Sequence, residues 1–315
     1  MNQLDKKLIL APMAGFSDQP FRRLARAFGA DEVVTELISA DALVRNNKKT
    51  FGMVAIHEDE RPASIQIFGS EPSVMAEAAK RVEQFNPLFI DINMGCPARK
   101  VTRNGAGAAL LDNLKLATDI IRSVVGAVET PVSIKIRTGK NKSSKTGLEL
   151  AKRAADCGVK RISVHARTVA DGFGGLIDYD SVAELKKSLA VEIIGNGGIN
   201  TPQDATKWLE RTGCDGLMIG RGAIGRPSLF RAIREGAPCP PMEELETVIR
   251  HMDWMEEFYG AGRSLGPMRG HLIYYSRGHH DARQFRRDVA TAPSWAKLRE
   301  VVERTFNKTA ECAAC

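Results

Sequence analysis

The sequence predicts an α/β fold: a (β/α)₈, or TIM, barrel followed by a small C-terminal helical bundle. Three observations predict it. Short β-branched runs alternate with helical stretches from the start of the chain to about residue 235. Polar residues capable of chemistry end nearly every run, as expected where all strands open at one mouth. Beyond a proline-rich break, Ala237–Pro241, the pattern becomes purely helical. A doubly wound open sheet is the competing architecture, but it would not gather every strand end at one place.

The expected strands are Leu8–Ala11, Glu32–Leu37, Ala63–Phe68, Leu88–Asn93, Val132–Arg137, Arg161–His165, Val191–Gly195 and Gly216–Ile219. They are short and mostly apolar, the composition of parallel strands covered on both faces. Helical stretches lie between them at Gln19–Phe28, Ser73–Phe85, Leu114–Val128, Gly147–Cys157 and Thr201–Thr212. Ser73 and Thr201 are the expected N-caps, with Pro202 in the first helical position. After the break, Met242, Leu245, Val248, Ile249, Met252, Met255 and Phe258 recur at helical spacing, and Trp295, Leu298, Val301, Val302 and Phe306 do so again. Both stripes read as bundle core. The expected division is therefore a barrel over 1–236, a linker over 237–241, a helical domain over 242–308 and a tail over 309–315.

Composition narrows the function classes. The chain has 315 residues, 43% of them hydrophobic, enough for a sizeable core. Its formal charge of +7 favours polyanionic partners such as nucleic acid. Met1–Lys7 is polar and no apolar run approaches a membrane span, so neither a secretion signal nor a membrane partner is expected. The six cysteines are scattered, which argues for a reducing cytoplasm rather than a disulfide framework. The closing Cys312-Ala-Ala-Cys315 reads as an incidental tail, since one CxxC cannot complete a zinc site. The histidines lack metal-ligand spacing and no metal is expected; His279 and His280 fall in a polar loop and read as solvated.

The strand ends carry the chemistry. Strand one ends in Ala11-Pro12-Met13-Ala14-Gly15, and strand three carries Gln66. Strand four runs into Asn93-Met94-Gly95-Cys96-Pro97, and strand five carries Lys135 and Arg137. Strand six ends in His165-Ala166-Arg167, strand seven in Asn196-Gly197-Gly198, and strand eight in Gly220-Arg221-Gly222. Glycines after strands seven and eight let backbone N–H groups approach a phosphate, and Arg221 adds a charge-assisted donor. A hydrogen-bonded core amide is the competing reading for Gln66, and a core histidine for His165. Lys135 is harder to read as filler, because lysines are seldom buried without a partner. A buried cation there suits a flavin, whose reduced ring gathers negative charge. Cys96 sits in a tight Gly-Cys-Pro turn beside Arg99, Lys100 and Arg103, a candidate acid or nucleophile. Cys157 and Cys214 read as packing residues.

With these stretches in hand, the sequence resembles the tRNA-dihydrouridine synthase family, closest to its bacterial B-type subfamily, over nearly the whole chain. The matching segments include Ala11-Pro12-Met13-Ala14-Gly15-Phe16-Ser17-Asp18, Ile65-Gln66-Ile67-Phe68-Gly69, Asn93-Met94-Gly95-Cys96-Pro97, Lys135-Ile136-Arg137-Thr138-Gly139, His165-Ala166-Arg167-Thr168 and Met218-Ile219-Gly220-Arg221-Gly222. Arg269-Gly270-His271 and Gln284-Phe285-Arg286-Arg287 extend it into the helical region. The resemblance implies FMN held by Pro12, Met13, Ala14, Gln66, Lys135, His165, Asn196, Gly197, Gly198, Gly220 and Arg221. It implies Cys96 as proton donor, Asn93 and Arg137 at the uracil, Arg167 at the tRNA, and NADPH as co-substrate reducing the flavin first. The implied reaction is reduction of the C5=C6 bond of a D-loop uridine in tRNA to 5,6-dihydrouridine, by a monomer. A hydride must reach C6 and a proton C5, and the base must leave its stack to be reached. Arg277, Arg283, Arg286 and Arg287, with Arg269 and the basic residues after Cys96, are the expected phosphate contacts.

Val169, Gly198 and Lys140 depart from residues frequent in the family, which bears on tRNA contacts rather than on the flavin site. Two other functions compete. A small-molecule FMN barrel, of the pyrimidine or dihydroorotate dehydrogenase kind, would share the phosphate site but has no use for a basic helical domain. A non-catalytic RNA-binding protein would carry no flavin.

Overall fold

The computed structural model describes residues 6–236 and 241–313. Nine strand segments form one parallel sheet: β1 (Lys7–Leu10), β2 (Glu32–Val34), β3 (Ile38–Ser39), β4 (Ala63–Phe68), β5 (Ile90–Met94), β6 (Val132–Arg137), β7 (Arg161–His165), β8 (Glu192–Asn196) and β9 (Gly216–Ile219). β1 pairs with both β2 and β9, and β2 pairs with β4, so the sheet closes on itself as the expected barrel. The second expected strand is split. The Thr35 N–H still donates to the Ser64 carbonyl at 2.9 Å, but the Gln66 N–H bonds to Thr35 Oγ1 at 3.0 Å instead of to a backbone carbonyl, and β3 then resumes the pairing on β4. The fourth and seventh strands begin later than expected and run one residue further, into Met94 and Asn196.

Period-two alternation explains the layering. Leu8, Leu10, Ile65, Ile67, Ile134 and Ile162 face the surrounding helices and are fully buried. Each such side chain contributes roughly 1.5–3 kcal/mol by leaving water. Ile9, Ala11, Val34, Ile194 and Met218 point inward and form a small core inside the barrel. Below them, Arg161 plugs the floor. Its guanidinium meets Glu32 at 2.6 Å and Glu192 at 2.6 Å, and lies 4.0 Å from the centroid of the Phe89 ring. The floor is ionic, and the polar strand-end residues lie at the opposite, C-terminal end.

Helix starts follow their residues. Thr201 caps Pro202–Thr212 in a capping box with Asp204. Ser73 is not a cap. Pro72, with φ already fixed for a helix, starts Pro72–Glu83 one residue earlier. The Ser73 hydroxyl donates to Glu71 instead, at 3.2 Å.

Beyond the barrel lie the helices Pro241–Tyr259, Ala261–Tyr275, Ala282–Thr291 and Trp295–Ala313. Val248, Met252, Met255, Leu298, Val302 and Phe306 build a core of their own there. The last helix runs to Ala313, into the stretch assigned to a tail, while Ala237–Pro240 of the linker and Cys315 lie outside the described residues. His279 departs from expectation. Its side chain is only 8% exposed and packs edge-on against Phe306 at 4.6 Å, because the last helix covers that loop. Among the described residues, no helix is long and apolar enough to cross a membrane.

The helical region is seated on the barrel. Arg23 lies under the Trp254 ring at 4.2 Å and bridges Asp59 and Glu257. Gly225 backs onto Tyr274, where an added Cβ would sit 2.4 Å from the carbonyl carbon. Asp18, His251 and His271 meet at this junction, one donor atom of each within 4.8 Å of the others, although the histidines lack metal-ligand spacing in sequence. Asp18 accepts from the Phe21 N–H at 3.2 Å and the Tyr259 hydroxyl at 3.1 Å, while His271 has no hydrogen-bond partner.

Candidate active site

The C-terminal mouth of the barrel holds two adjoining cavities of about 430 Å³ and about 480 Å³. The first is lined by Asn196-Gly197-Gly198, Gly220-Arg221-Gly222, His165, Arg167 and Arg277. The second is lined by Gln66, Asn93, Cys96, Arg137, Phe16 and Tyr274. Pro12, Met13, Lys135, His165, Phe173 and Arg221 line both. The structure thus brings to these cavities every residue expected at the cofactor and the uracil, and Arg167 expected at the tRNA, whereas Met94 and Ala166 of the same strand ends are buried in the core behind them. Ala14 joins them at the edge of the second cavity.

Register sets the order around the mouth. Asn93 lies opposite Lys135 across β5 and β6, while Arg137, His165 and Asn196 follow one another across β6, β7 and β8. A polar chain beneath the second cavity fixes the inward side chains. Ser133 donates to Asp91 at 2.5 Å, and the Gln66 amide donates to Asp91 at 2.6 Å. Asn93 then donates to Gln66 Oε1 at 2.8 Å. Gln66 is therefore a satisfied amide whose orientation is set from below. Burial pushes the Asp91 carboxyl upward against these stabilising bonds.

Cys96 is placed by the residues around it. The Asn93 side-chain oxygen accepts the Cys96 N–H at 3.0 Å and the Gly95 N–H at 3.3 Å. Arg137 Nε donates to the Gly95 carbonyl at 3.0 Å, and the Ala108 N–H to the Cys96 carbonyl at 3.0 Å. Gly107 must remain glycine here: its φ is +61° and a Cβ would stand 2.7 Å from the Cys96 carbonyl oxygen. The half-buried thiol projects into the second cavity while its backbone is held on three sides.

Lys135 is half-buried between the cavities and donates to Asn196 Oδ1 at 3.0 Å. Asn196 in turn donates to the Met218 carbonyl at 2.6 Å, so β6, β8 and β9 are tied at the mouth. Burial, then the neighbouring Arg137, brings the Lys135 amine down to about 8. Arg137 is lowered to about 10, chiefly by burial. His165 is pushed down to about 2 by burial and then by Lys135, Arg137, Arg167 and Arg221. The imidazole is neutral, and the cations around it leave the first cavity strongly positive. Such a pocket fits an anion.

The backbone after β8 completes that fit. Gly197 has φ +129° and Gly198 φ +67°; a Cβ on Gly197 would come within 3.1 Å of the His165 ring. Trp208 holds this turn from behind, its indole N–H donating to the Gly197 carbonyl at 2.8 Å. Sequence reading missed Trp208, because a tryptophan on an amphipathic helix signals core and nothing more. It missed Phe16, Phe173 and Tyr274 as well, since none ends a strand.

The arginines are less free than their types suggest. Arg137 donates to the Thr168 and Gly172 carbonyls at 2.9 and 2.7 Å, and Arg167 to the Gly175 carbonyl at 3.2 Å. In the helical region Arg286 is tied to Ser276 at 2.8 Å and Arg269 to the Ala292 carbonyl, while Arg277 stacks on Tyr274 at 4.1 Å and faces the first cavity. Arg283 and Arg287 are exposed, as are Arg99, Lys100 and Arg103 on the barrel.

A family model described as dihydrouridine synthase matches residues 9–311. The chain belongs to the dihydrouridine synthase family. Among curated relatives, tRNA-dihydrouridine synthase B of Pseudomonas aeruginosa is 40% identical, over 99% of this chain and 92% of its own length. That of Pectobacterium carotovorum is 40% identical, over 98% of each chain. Solved structures share the barrel at far lower identity. Histamine dehydrogenase from Rhizobium sp. 4-9 aligns with a TM-score of 0.58 at 12% identity, over 78% of this chain and 48% of that one. The old yellow enzyme homologue from Zymomonas mobilis aligns with a TM-score of 0.51 at 13% identity, over 76% and 90%. These structures bear on the fold alone. Family membership rests on the sequence, and in this member of the family the residues expected at the cofactor and substrate are gathered around one mouth.

Proposed function

We propose that this chain is an FMN-dependent tRNA-dihydrouridine synthase that reduces the C5=C6 bond of a D-loop uridine, with NADPH as the source of reducing equivalents. One observation carries the reading: Cys96, on a loop fixed by Asn93 and Arg137, lines the same cavity as the half-buried Lys135. The printed names of the relatives favour it.

The residues fit the cofactor. The positive first cavity, with Gly197, Gly198, Gly220 and Arg221, suits a phosphate, and His165 borders it as a neutral donor or acceptor. Pro12, Met13, Ala14, Gln66 and Lys135 would bound the ring, with Lys135 supplying positive charge where a reduced flavin becomes anionic. Bound FMN supplies the hydride for uracil C6. Cys96 holds the proton destined for C5, and solvent restores it after transfer. Asn93 and Arg137 position the thiol, whatever contacts they make to the uracil. Arg167 stands behind the loop it supports, and the exposed basic residues beyond the mouth provide the sequence-independent grip on tRNA phosphates. The thiol faces a cavity at the mouth of the barrel, so the target base must be extruded from its stack to reach it.

The test is mass mapping of dihydrouridine in unmodified tRNA treated with the pure protein and NADPH. Dihydrouridine in the D-loop is expected. Turnover of free uracil without any change in the tRNA would favour the small-molecule barrel instead.

A further inference from the structure

The loop between β7 and the helix Tyr179–Ser188 reads Thr168-Val169-Ala170-Asp171-Gly172-Phe173-Gly174-Gly175-Leu176. It carries an exposed aromatic side chain at the rim of a charged mouth: Phe173 is 56% exposed and lines both cavities.

The loop is not slack. Asp171 Oδ2 accepts the Thr168 N–H at 3.0 Å and its hydroxyl at 2.7 Å, closing a compact turn. Three arginines of the site then hold its carbonyls: Arg137 at Gly172 (2.7 Å), Arg221 at Phe173 (3.0 Å) and Arg167 at Gly175 (3.2 Å). The Phe173 ring has the Arg221 guanidinium 4.7 Å and the Arg137 guanidinium 5.4 Å from its centroid, with the His165 ring 6.3 Å away and inclined by 29°. Cations and an imidazole occupy its inner surroundings, and the remainder of the residue faces solvent between the two cavities, both of which it lines.

We propose that Phe173 is a nucleobase-stacking platform: it receives the tRNA base flanking the extruded uridine. This rests on the function proposed above and adds a subsite to it. Phenylalanine presents a π-face to any base, so the contact is tolerant of sequence. The guanidiniums behind it keep the ring in place and attract the adjoining phosphates. The target uracil itself has the deeper cavity beside Cys96, which leaves the rim for its neighbour. Opening a tRNA stack is unfavourable, and an aromatic face offered to the exposed neighbour offsets part of that cost.

The experiment uses the full chain with its bound flavin and measures two half-reactions separately. Phe173→Ala is expected to keep its flavin content and its rate of anaerobic reduction by NADPH. Its kcat/KM for tRNA should fall about ten-fold or more, mainly through KM. Phe173→Trp should restore the parent value, and Phe173→Leu, apolar but without a π-face, should not. Unchanged tRNA kinetics in Phe173→Ala, or full activity in Phe173→Leu, would overturn the platform. So would an equal loss in the NADPH step or in flavin content, which would assign the ring to the cofactor. If the parent forms no dihydrouridine, the underlying function fails, and a comparison of tRNA affinity between parent and Phe173→Ala still decides whether the ring stacks.

Discussion

Replacing Cys96 with alanine separates the chemistry from the scaffold. The loop around it is held through backbone atoms and neighbours: Asn93 at the Cys96 N–H, Ala108 at its carbonyl, and Arg137 at Gly95. None of these bonds uses the sulfur, so the variant loses one half-buried atom and little else. Stability should change by less than about 1 kcal/mol, the usual cost of a surface-like truncation. Flavin content and reduction by NADPH should stay at the parent level. Transfer to tRNA should fall by about 10²–10⁴-fold, the usual contribution of a positioned acid, or about 3–5 kcal/mol in barrier. The assay is single-turnover: flavin is reduced anaerobically, tRNA is added, and flavin reoxidation is followed beside dihydrouridine by mass. Cys96→Ser keeps a hydroxyl in place of the thiol and should fall between alanine and the parent. Reoxidation by tRNA within about three-fold of the parent in Cys96→Ala would show that the proton comes from elsewhere and refute the assignment.

Other perturbations address the rest of the site and the junction. Lys135, lowered to about 8 by burial and Arg137, is charged below that pH and loses its charge above it; flavin reduction should therefore decline as pH rises through about 8, and Lys135→Met should be slow at every pH, as stopped-flow absorbance would show. Gly198→Val puts a β-branched residue at φ +67° with Ile177 3.2 Å from the new Cβ, a strain of about 1–3 kcal/mol beside the phosphate-binding turn; the purified variant should retain its helical circular dichroism but carry markedly less flavin. Asp18 is raised from 3.8 to about 7, first by burial. A carboxyl with a raised folded pKa costs stability when ionised, a penalty absent below about pH 4 and complete above about pH 7, with a ceiling of roughly 4 kcal/mol. Asn caps a helix as well as Asp, so Asp18→Asn should melt progressively higher than the parent as pH rises across that window; parallel pH dependence of the two melting temperatures would count against it.

Much of the barrel was legible because its signals are local. A β-branched run reads as a strand, a glycine pair reads as a turn, and a lysine in an apolar run demands a reason. Gln66, Asn93, Cys96, Lys135, His165 and Asn196 stand at one mouth because parallel strands of similar length end together, and their order in sequence is their order around the ring. What was not legible depends on contacts between distant segments. The Thr35 hydroxyl interrupts β2 only because the Gln66 N–H reaches it from the next strand. His279 is sheltered only because Phe306, on the last helix, folds over it. The meeting of Asp18 with His251 and His271 joins residues more than two hundred positions apart, and no periodicity announces it.

The arginines show why residue type alone assigns roles unevenly. Arg137, Arg167 and Arg221 read in sequence as hands reaching for uracil, tRNA and phosphate. In the structure each spends a donor on one loop. A guanidinium carries five donors, so those bonds do not exhaust it; they fix its plane and leave the remaining N–H groups aimed. An arginine that must meet both a moving base and a bound phosphate benefits from such anchoring, because a freely rotating side chain would lose that entropy on each encounter. The loop carbonyls therefore orient the cations, and the cations hold the loop that carries Phe173. Loop and arginines form one unit, so substituting any of the three should disturb loop order and tRNA kinetics together, an outcome that isolated contacts to separate ligands would not produce.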